Sequence, residues 1–116
     1  FIKNQCDYAC NHQNKFDSNY ADGFGAEIFS SNILYSMNEN VNNPKEQEHL
    51  TLHLYNNSTK YSMLGVQAPS ELSYPDYRFD VDISSDLEKL EALCKKGITF
   101  NTPSTKIMKL ALGTYF

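Results

Sequence analysis

Arg78-Phe79-Asp80-Val81-Asp82-Ile83-Ser84-Ser85-Asp86-Leu87-Glu88 is the stretch that decides the fold class. Side chains alternate along a strand, so Phe79, Val81 and Ile83 form one apolar face and Asp80 and Asp82 share the other. The pattern predicts a strand over 78–83 that hands the chain to a helix. Ser85 with Glu88 has the spacing of a capping box, and Asp86 adds negative charge near the positive end of the helix dipole. Leu87, Leu90, Leu93 and Cys94 form one apolar stripe, and Gly97 stops the helix. Strand followed by amphipathic helix is α/β grammar. In open α/β sheets, ligands bind outside the carboxyl ends of the strands, which is where Asp82 falls.

Working outward, the same signals recur. Asn43-Pro44-Lys45-Glu46 starts a helix over 43–55, with Asn43 as N-cap and Pro44 at the first helical position. Pro103-Ser104-Thr105 opens a last helix carrying Ile107, Met108, Leu110 and Ala111 and ending at Gly113. Short strands are predicted over 26–30 and 61–66, a helix from Ser31 or Asn32 to Met37, and a turn over 74–76. The expected order is strand, helix, helix, strand, strand, helix, helix.

The chain has 116 residues, enough for a single small domain, 1–116. It is 41% hydrophobic and 21% charged, which excludes a disordered composition. Its formal net charge of -4 argues against nucleic acid as a partner. No apolar run has the length of a membrane span. Cys6, Cys10 and Cys94 make no disulfide framework and suggest reduced thiols in a cytoplasmic protein. Cys6, Cys10 and His12 lack a fourth ligand for zinc. Phe1 in place of a starting methionine points to a processed product or a piece of something longer.

Two readings fit Asp82. It is a carboxylate ligand for a hard cation such as magnesium, or it launches the following helix. Asp80 is expected to face solvent or pair with Arg78. Glu27 follows Gly23 and Gly25, so it either accepts hydrogen bonds from ligand hydroxyls at a site the glycines leave open, or faces water on an edge strand. Glu48 and His49 fall inside the predicted 43–55 helix, where His49 is an acid–base candidate or a surface histidine. That helix shows His49, Leu50, Leu52, His53 and Leu54 nearly all round, which predicts burial in a homodimer contact. No phosphate-binding glycine loop or nucleophile elbow is present.

Four segments, taken in order, resemble one family. "YADGFGAEIFSS" (20–31) is similar to a family segment of the pattern aromatic-Pro-x-Gly-x-x-x-Glu-Val-Phe-Ser. "NPKEQEHLTLHLYNN" (43–57) is similar to Glu-Arg-Glu-His-Val-Thr-Pro-Tyr-Ile, and "YRFDVDISSDLEKLEAL" (77–93) to Arg-x-Thr-Val-Asp-x-Pro-Glu-Asp-Leu. "CDYACN" (6–11) resembles a lead-in of the form Tyr-Asp-Tyr-Val-Ser-Asn. The family is the cytidylyltransferases of the spore coat polysaccharide biosynthesis type.

The resemblance implies the carboxy-terminal portion of a nucleotide-diphospho-sugar transferase (GT-A/Rossmann-like) fold, without its amino-terminal nucleotide-binding half. It implies transfer of CMP from CTP to a sugar with Mg2+, by a homodimer. Asp82 matches the family aspartate, a metal-ligand candidate. Glu27 matches a glutamate near the sugar, and Glu48 and His49 match a Glu-His pair of the sugar pocket or dimer interface. The rival expectation is a non-catalytic oligomerisation or sugar-binding module that retains this half-fold. Phe79-Asp80, Ser84-Ser85 and Leu52-His53 depart from the family pattern.

Overall fold

The computed structural model describes residues 1–12, 16–49 and 51–113. Its centre is a strand that sequence patterning misses. β1, Tyr8–Cys10, has only three residues, and all are buried: Tyr8 0%, Ala9 2% and Cys10 3% exposed. β2, Glu27–Phe29, pairs with it antiparallel, and β3, Met63–Gly65, pairs with it in parallel, giving the order β2-β1-β3. The expected strands over 26–30 and 61–66 are therefore present in shorter form.

Strand alternation sorts the sheet into two faces. Tyr8, Cys10, Phe29 and Met63 share the face that meets the helices. They pack with Met37, Val41 and Leu54 as the core, and Ile33, Tyr55 and Tyr61 close around it. Ala9, Ile28 and Leu64 share the opposite face, where Ile28 is 49% exposed.

α1, Ser31–Asn40, starts as capping chemistry requires: the Ser30 hydroxyl accepts from the Ile33 amide at 3.4 Å. The helix predicted over 43–55 is two helices, α2 (Pro44–Glu48) and α3 (Leu52–Asn56). Asn43 caps α2, accepting from the Lys45 amide at 3.0 Å, but His49 is extended and ends it. The break has a visible reason. Glu46 Oε2 lies 2.8 Å from His53 Nδ1, and Glu46 Oε1 accepts from Asn56 Nδ2 at 2.7 Å. Residues seven apart rise about 10 Å along a continuous helix, so these contacts need the chain to fold back. The bend also buries Leu54 in the chain's own core, at 0% exposure. Of the residues that motivated a dimer contact, Leu54 is thus buried internally, Leu52 and His53 are half-buried and His49 is exposed, and Leu50 lies outside the described residues.

The segment 78–83 is not a strand. Among the described residues only Arg78 pairs, in a single bridge with Asp22, and Val81 and Ile83 are 51% and 63% exposed. Local side chains satisfy the backbone in place of a ladder. Asp86 Oδ2 accepts from the amides of Asp82 (3.2 Å) and Ile83 (3.1 Å), and this acid, not Glu88, is the one that caps α4, Ser84–Cys94. On α4 only Leu93 of the predicted stripe is buried, while Leu87 is 48% exposed. α5, Ser104–Leu112, follows Pro103 and ends at Gly113 as expected. Its Met108 and Ala111 are buried as it packs on α4 and on the 3-10 turn Ser70–Leu72.

A polar clamp fixes the register of β1 against β3. The Asp7 amide donates to Ser62 O at 2.9 Å, while Asp7 Oδ2 accepts from the Ser62 amide (2.7 Å) and hydroxyl (2.9 Å). These bonds, the backbone one foremost, hold the Asp7 carboxyl below its ordinary range. A carboxyl depressed by folding stabilises the fold above its unfolded pKa of about 3.9 and loses that contribution as pH falls through the lower folded value. The gap in urea midpoint between wild type and Asp7→Asn is expected to be widest near neutrality and to narrow below about pH 4. A gap independent of pH would show that the clamp does not depend on the charge.

Candidate functional site: an acceptor-lined cleft beside two glycines

The loop before β2 is stitched to the segment before α4. The Asp22 amide donates to Tyr77 O and the Phe79 amide to Asp22 O, both at 2.9 Å. Phe24 and Phe79 stack with ring centroids 4.6 Å apart and planes 10° from parallel. Gly23 makes the turn with φ +85°, and a Cβ there would sit 2.7 Å from the Phe79 carbonyl carbon. Asn11, just past β1, ties the other end: its Nδ2 donates to Phe24 O at 3.2 Å and its Oδ1 accepts from the Ala26 amide.

These ties enclose an open cleft of about 330 Å³. Gly23 and Gly25 line it together with Asp22, Glu27 and Asp80, and His12 stands at its edge. Of the two readings of Glu27, beside a site the glycines leave open or facing water on an edge strand, the structure leaves Glu27 exposed on β2 and sets it with Gly23 and Gly25 along the cleft. His12 Nδ1 is buried with no hydrogen-bond partner among the described residues.

Arg78 organises the acids on the far side. Its Nε donates to Asp80 Oδ1 at 3.0 Å, its Nη2 to Asp82 Oδ2 at 2.8 Å and to Asp80 Oδ2, and Asp22 Oδ2 lies 3.7 Å from Nε. The guanidinium holds the Asp80 carboxyl below its ordinary range. Asp80 thus has the arginine pairing expected of it. Asp82 is largely exposed, with one oxygen taken by Arg78. Among the described residues, no three His, Cys, Asp or Glu side chains converge as metal ligands. A magnesium shell using Asp82 would have to compete with Arg78 and complete itself from phosphates and water.

Glu27 carries a network that sequence reasoning missed. Its Oε1 accepts from Tyr8 OH at 2.6 Å, from Tyr55 OH at 3.2 Å and from Thr51 Oγ1 at 3.2 Å. Its Oε2 accepts from Thr51 Oγ1 at 3.2 Å. The Tyr8 and Tyr55 hydroxyls also bond to each other. Burial, then the bond to Glu27, pushes the Tyr8 phenol far above its ordinary pKa, and burial raises Tyr55 as well. Both hydroxyls stay protonated and able to donate. Thr51 and Tyr55 are four residues apart, a spacing that places both on one helical face and was available in the sequence. Tyr8 had no such signal.

Glu48 and His49 lie exposed at the end of α2, and no hydrogen bond joins either to Glu27 among the described residues. The acid–histidine contact in this region is Glu46 with His53. The three cysteines are free, with Cys10 buried beneath the Tyr55 hydroxyl at 3.8 Å. No helix among the described residues is long and apolar enough to cross a membrane.

A mixed sheet with helices on one face and an acceptor-lined cleft beside it defines an α/β protein. That class has recognisable relatives. No known protein-family profile matches the chain. The spore coat polysaccharide biosynthesis protein SpsF of Bacillus subtilis (strain 168) is 29% identical over 75 residues, which are 64% of this chain and 31% of that protein. A solved cytidylyltransferase from Leptospira borgpetersenii serovar Hardjo-bovis (strain JB197) superposes with a TM-score of 0.81 at 22% identity, covering 97% of this chain and 46% of that one. The chain therefore has the fold of a segment of a cytidylyltransferase and resembles a spore coat polysaccharide protein in sequence. It spans about a third of the curated relative and just under half of the solved one.

Proposed function

We propose that this chain supplies the sugar-side wall of a cytidylyltransferase that transfers CMP from CTP to a sugar for surface polysaccharide synthesis. The observation that carries this reading is the cleft: a carboxylate acceptor, Glu27, beside two glycines, on a fold shared with a cytidylyltransferase. Carboxylates accept from sugar hydroxyls, and glycines let a ring approach the backbone. Magnesium, CTP and a homodimer belong to the same whole-protein reading, with Asp82 as this chain's candidate carboxylate for the metal. Holding the sugar hydroxyl in line with the α-phosphorus is the chain's contribution to rate, because such transfers depend on positioning and charge stabilisation.

The test is sugar-dependent release of pyrophosphate from CTP by the protein that carries this chain. Glu27→Gln is expected to raise the KM for the sugar about tenfold or more, with the KM for CTP unchanged, since a hydrogen bond to a charged acceptor is worth about 1.5–3 kcal/mol. Asp82→Asn is expected to lower turnover more than Asp80→Asn does. Pyrophosphate release that ignores added sugars, or a Glu27→Gln enzyme with wild-type sugar KM, would overturn the assignment.

A further inference from the structure

We infer that Tyr8, Thr51 and Tyr55 are positioning residues that fix the Glu27 carboxylate, so that its Oε2 is the atom that selects one hydroxyl of the sugar. This rests on the sugar-binding reading above and deepens it. The two oxygens of Glu27 are not equivalent. Oε1 meets three hydroxyls, from Tyr8 at 2.6 Å and from Tyr55 and Thr51 at 3.2 Å. Among the described residues Oε2 meets only Thr51, which it shares with Oε1. Each hydroxyl has one proton and the Tyr8–Tyr55 bond takes one of the two phenol protons, so Oε1 holds one phenol proton with the Thr51 proton shared between the two oxygens, and Oε2 keeps the larger acceptor capacity.

The donors come from separate elements. Tyr8 is in the central strand, with no exposed surface, and Tyr55 is on α3. Thr51 immediately precedes α3, at the break that separates it from α2. The break that defeats the continuous-helix expectation is thus what sets Thr51 against the edge strand. An exposed glutamate normally samples many rotamers, and ordering it before the ligand arrives removes that cost from binding. A fixed acceptor also discriminates more sharply than a mobile one, because it cannot follow a hydroxyl that is displaced or missing.

The experiment uses the protein that carries this chain, with free hexoses. D-glucose, D-galactose, D-mannose and their N-acetylated 2-amino forms are titrated against the 15N-labelled protein. The monodeoxy and monodeoxyfluoro analogues of whichever sugar binds then follow. Wild type is expected to lose roughly tenfold or more in affinity for one analogue only, the one lacking the hydroxyl that Oε2 receives. Thr51→Val and Tyr55→Phe are expected to shrink that ratio several-fold, and Thr51→Ser to restore it. A purely structural role would lower the melting temperature and leave the ratio alone, and that result overturns the positioning role while leaving sugar binding in place. Absence of saturable binding to every hexose by wild type overturns both. Thr51→Val preserves side-chain shape, so it decides the matter should Tyr55→Phe unfold the chain.

Discussion

Tyr8→Ala is expected to remove about 3–5 kcal/mol of unfolding free energy, the range for truncating a large buried aromatic. Small domains hold only about 5–15 kcal/mol in total, so this variant should be largely unfolded at modest urea concentrations. The expectation follows from position. Tyr8 is fully buried in the central strand, stands edge-on to Tyr55 with centroids 5.5 Å apart, and packs in the cluster formed by Met37, Val41 and Leu54. Tyr8→Phe separates ring from hydroxyl. It should cost about 1–3 kcal/mol, the penalty for removing one partner of a buried hydrogen bond to a charged group. Urea denaturation followed by circular dichroism measures both. Equal losses for the two variants would mean that the ring contributes little beyond its hydroxyl.

Gly23→Ala is the second large effect. At φ +85° any side chain is strained, at a cost of about 1 kcal/mol or more. The added Cβ would also lie 2.7 Å from the Phe79 carbonyl carbon, 2.9 Å from Phe79 Cβ and 3.0 Å from the Asp80 amide nitrogen. Two of these are backbone atoms that no rotamer change can clear, so overpacking adds about 1–3 kcal/mol. Relief requires the loop to part from 79–80, breaking the Phe79–Asp22 hydrogen bond and the Phe24–Phe79 stack. The variant should therefore lose stability and saccharide binding together, read by denaturation and by titration. Gly97 has a similar φ of +89°, but a Cβ added there would meet nothing within 4 Å among the described residues, so Gly97→Ala should cost only the backbone strain and spare binding.

The helix starts near 31, 43 and 103 were legible because their signals are local, Asn43 with Pro44 and Gly113 acting within a turn of themselves, although the first helix is capped by Ser30, one residue before the expected Ser31 or Asn32. Glu27 beside the glycines was legible because a few residues of contiguous sequence carry the loop and the strand together. Three features were not legible. β1 is too short to show alternation, and it is buried on both faces, so Tyr8, Ala9 and Cys10 carry no polar beat. The helix over 43–55 breaks because Glu46 reaches His53 and Asn56, contacts that helical periodicity does not anticipate. The segment 78–83 has the alternation of a strand, but among the described residues it pairs only at Arg78, with Asp22. Arg78 and Asp86 satisfy its polar groups locally, so the feature that best announced the fold class is an extended link and not a strand.

The grouping of buried side chains implies two clocks for amide hydrogen exchange. Tyr8, Cys10, Met37, Val41 and Leu54 form one cluster. Leu93, Met108 and Ala111 are buried on α4 and α5, where α5 packs on α4 and on the 3-10 turn, apart from that cluster. Exchange from β1 should demand global opening, whereas α4, with one buried residue, should exchange through a sub-global excursion of lower free energy. Asp80 and Phe79 join that outer unit to the cleft. Each excursion of the carboxy-terminal helices would loosen one wall of the cleft while Glu27, anchored through Tyr8 to the slow unit, stays in place. Ligand residence would then be metered by the faster clock.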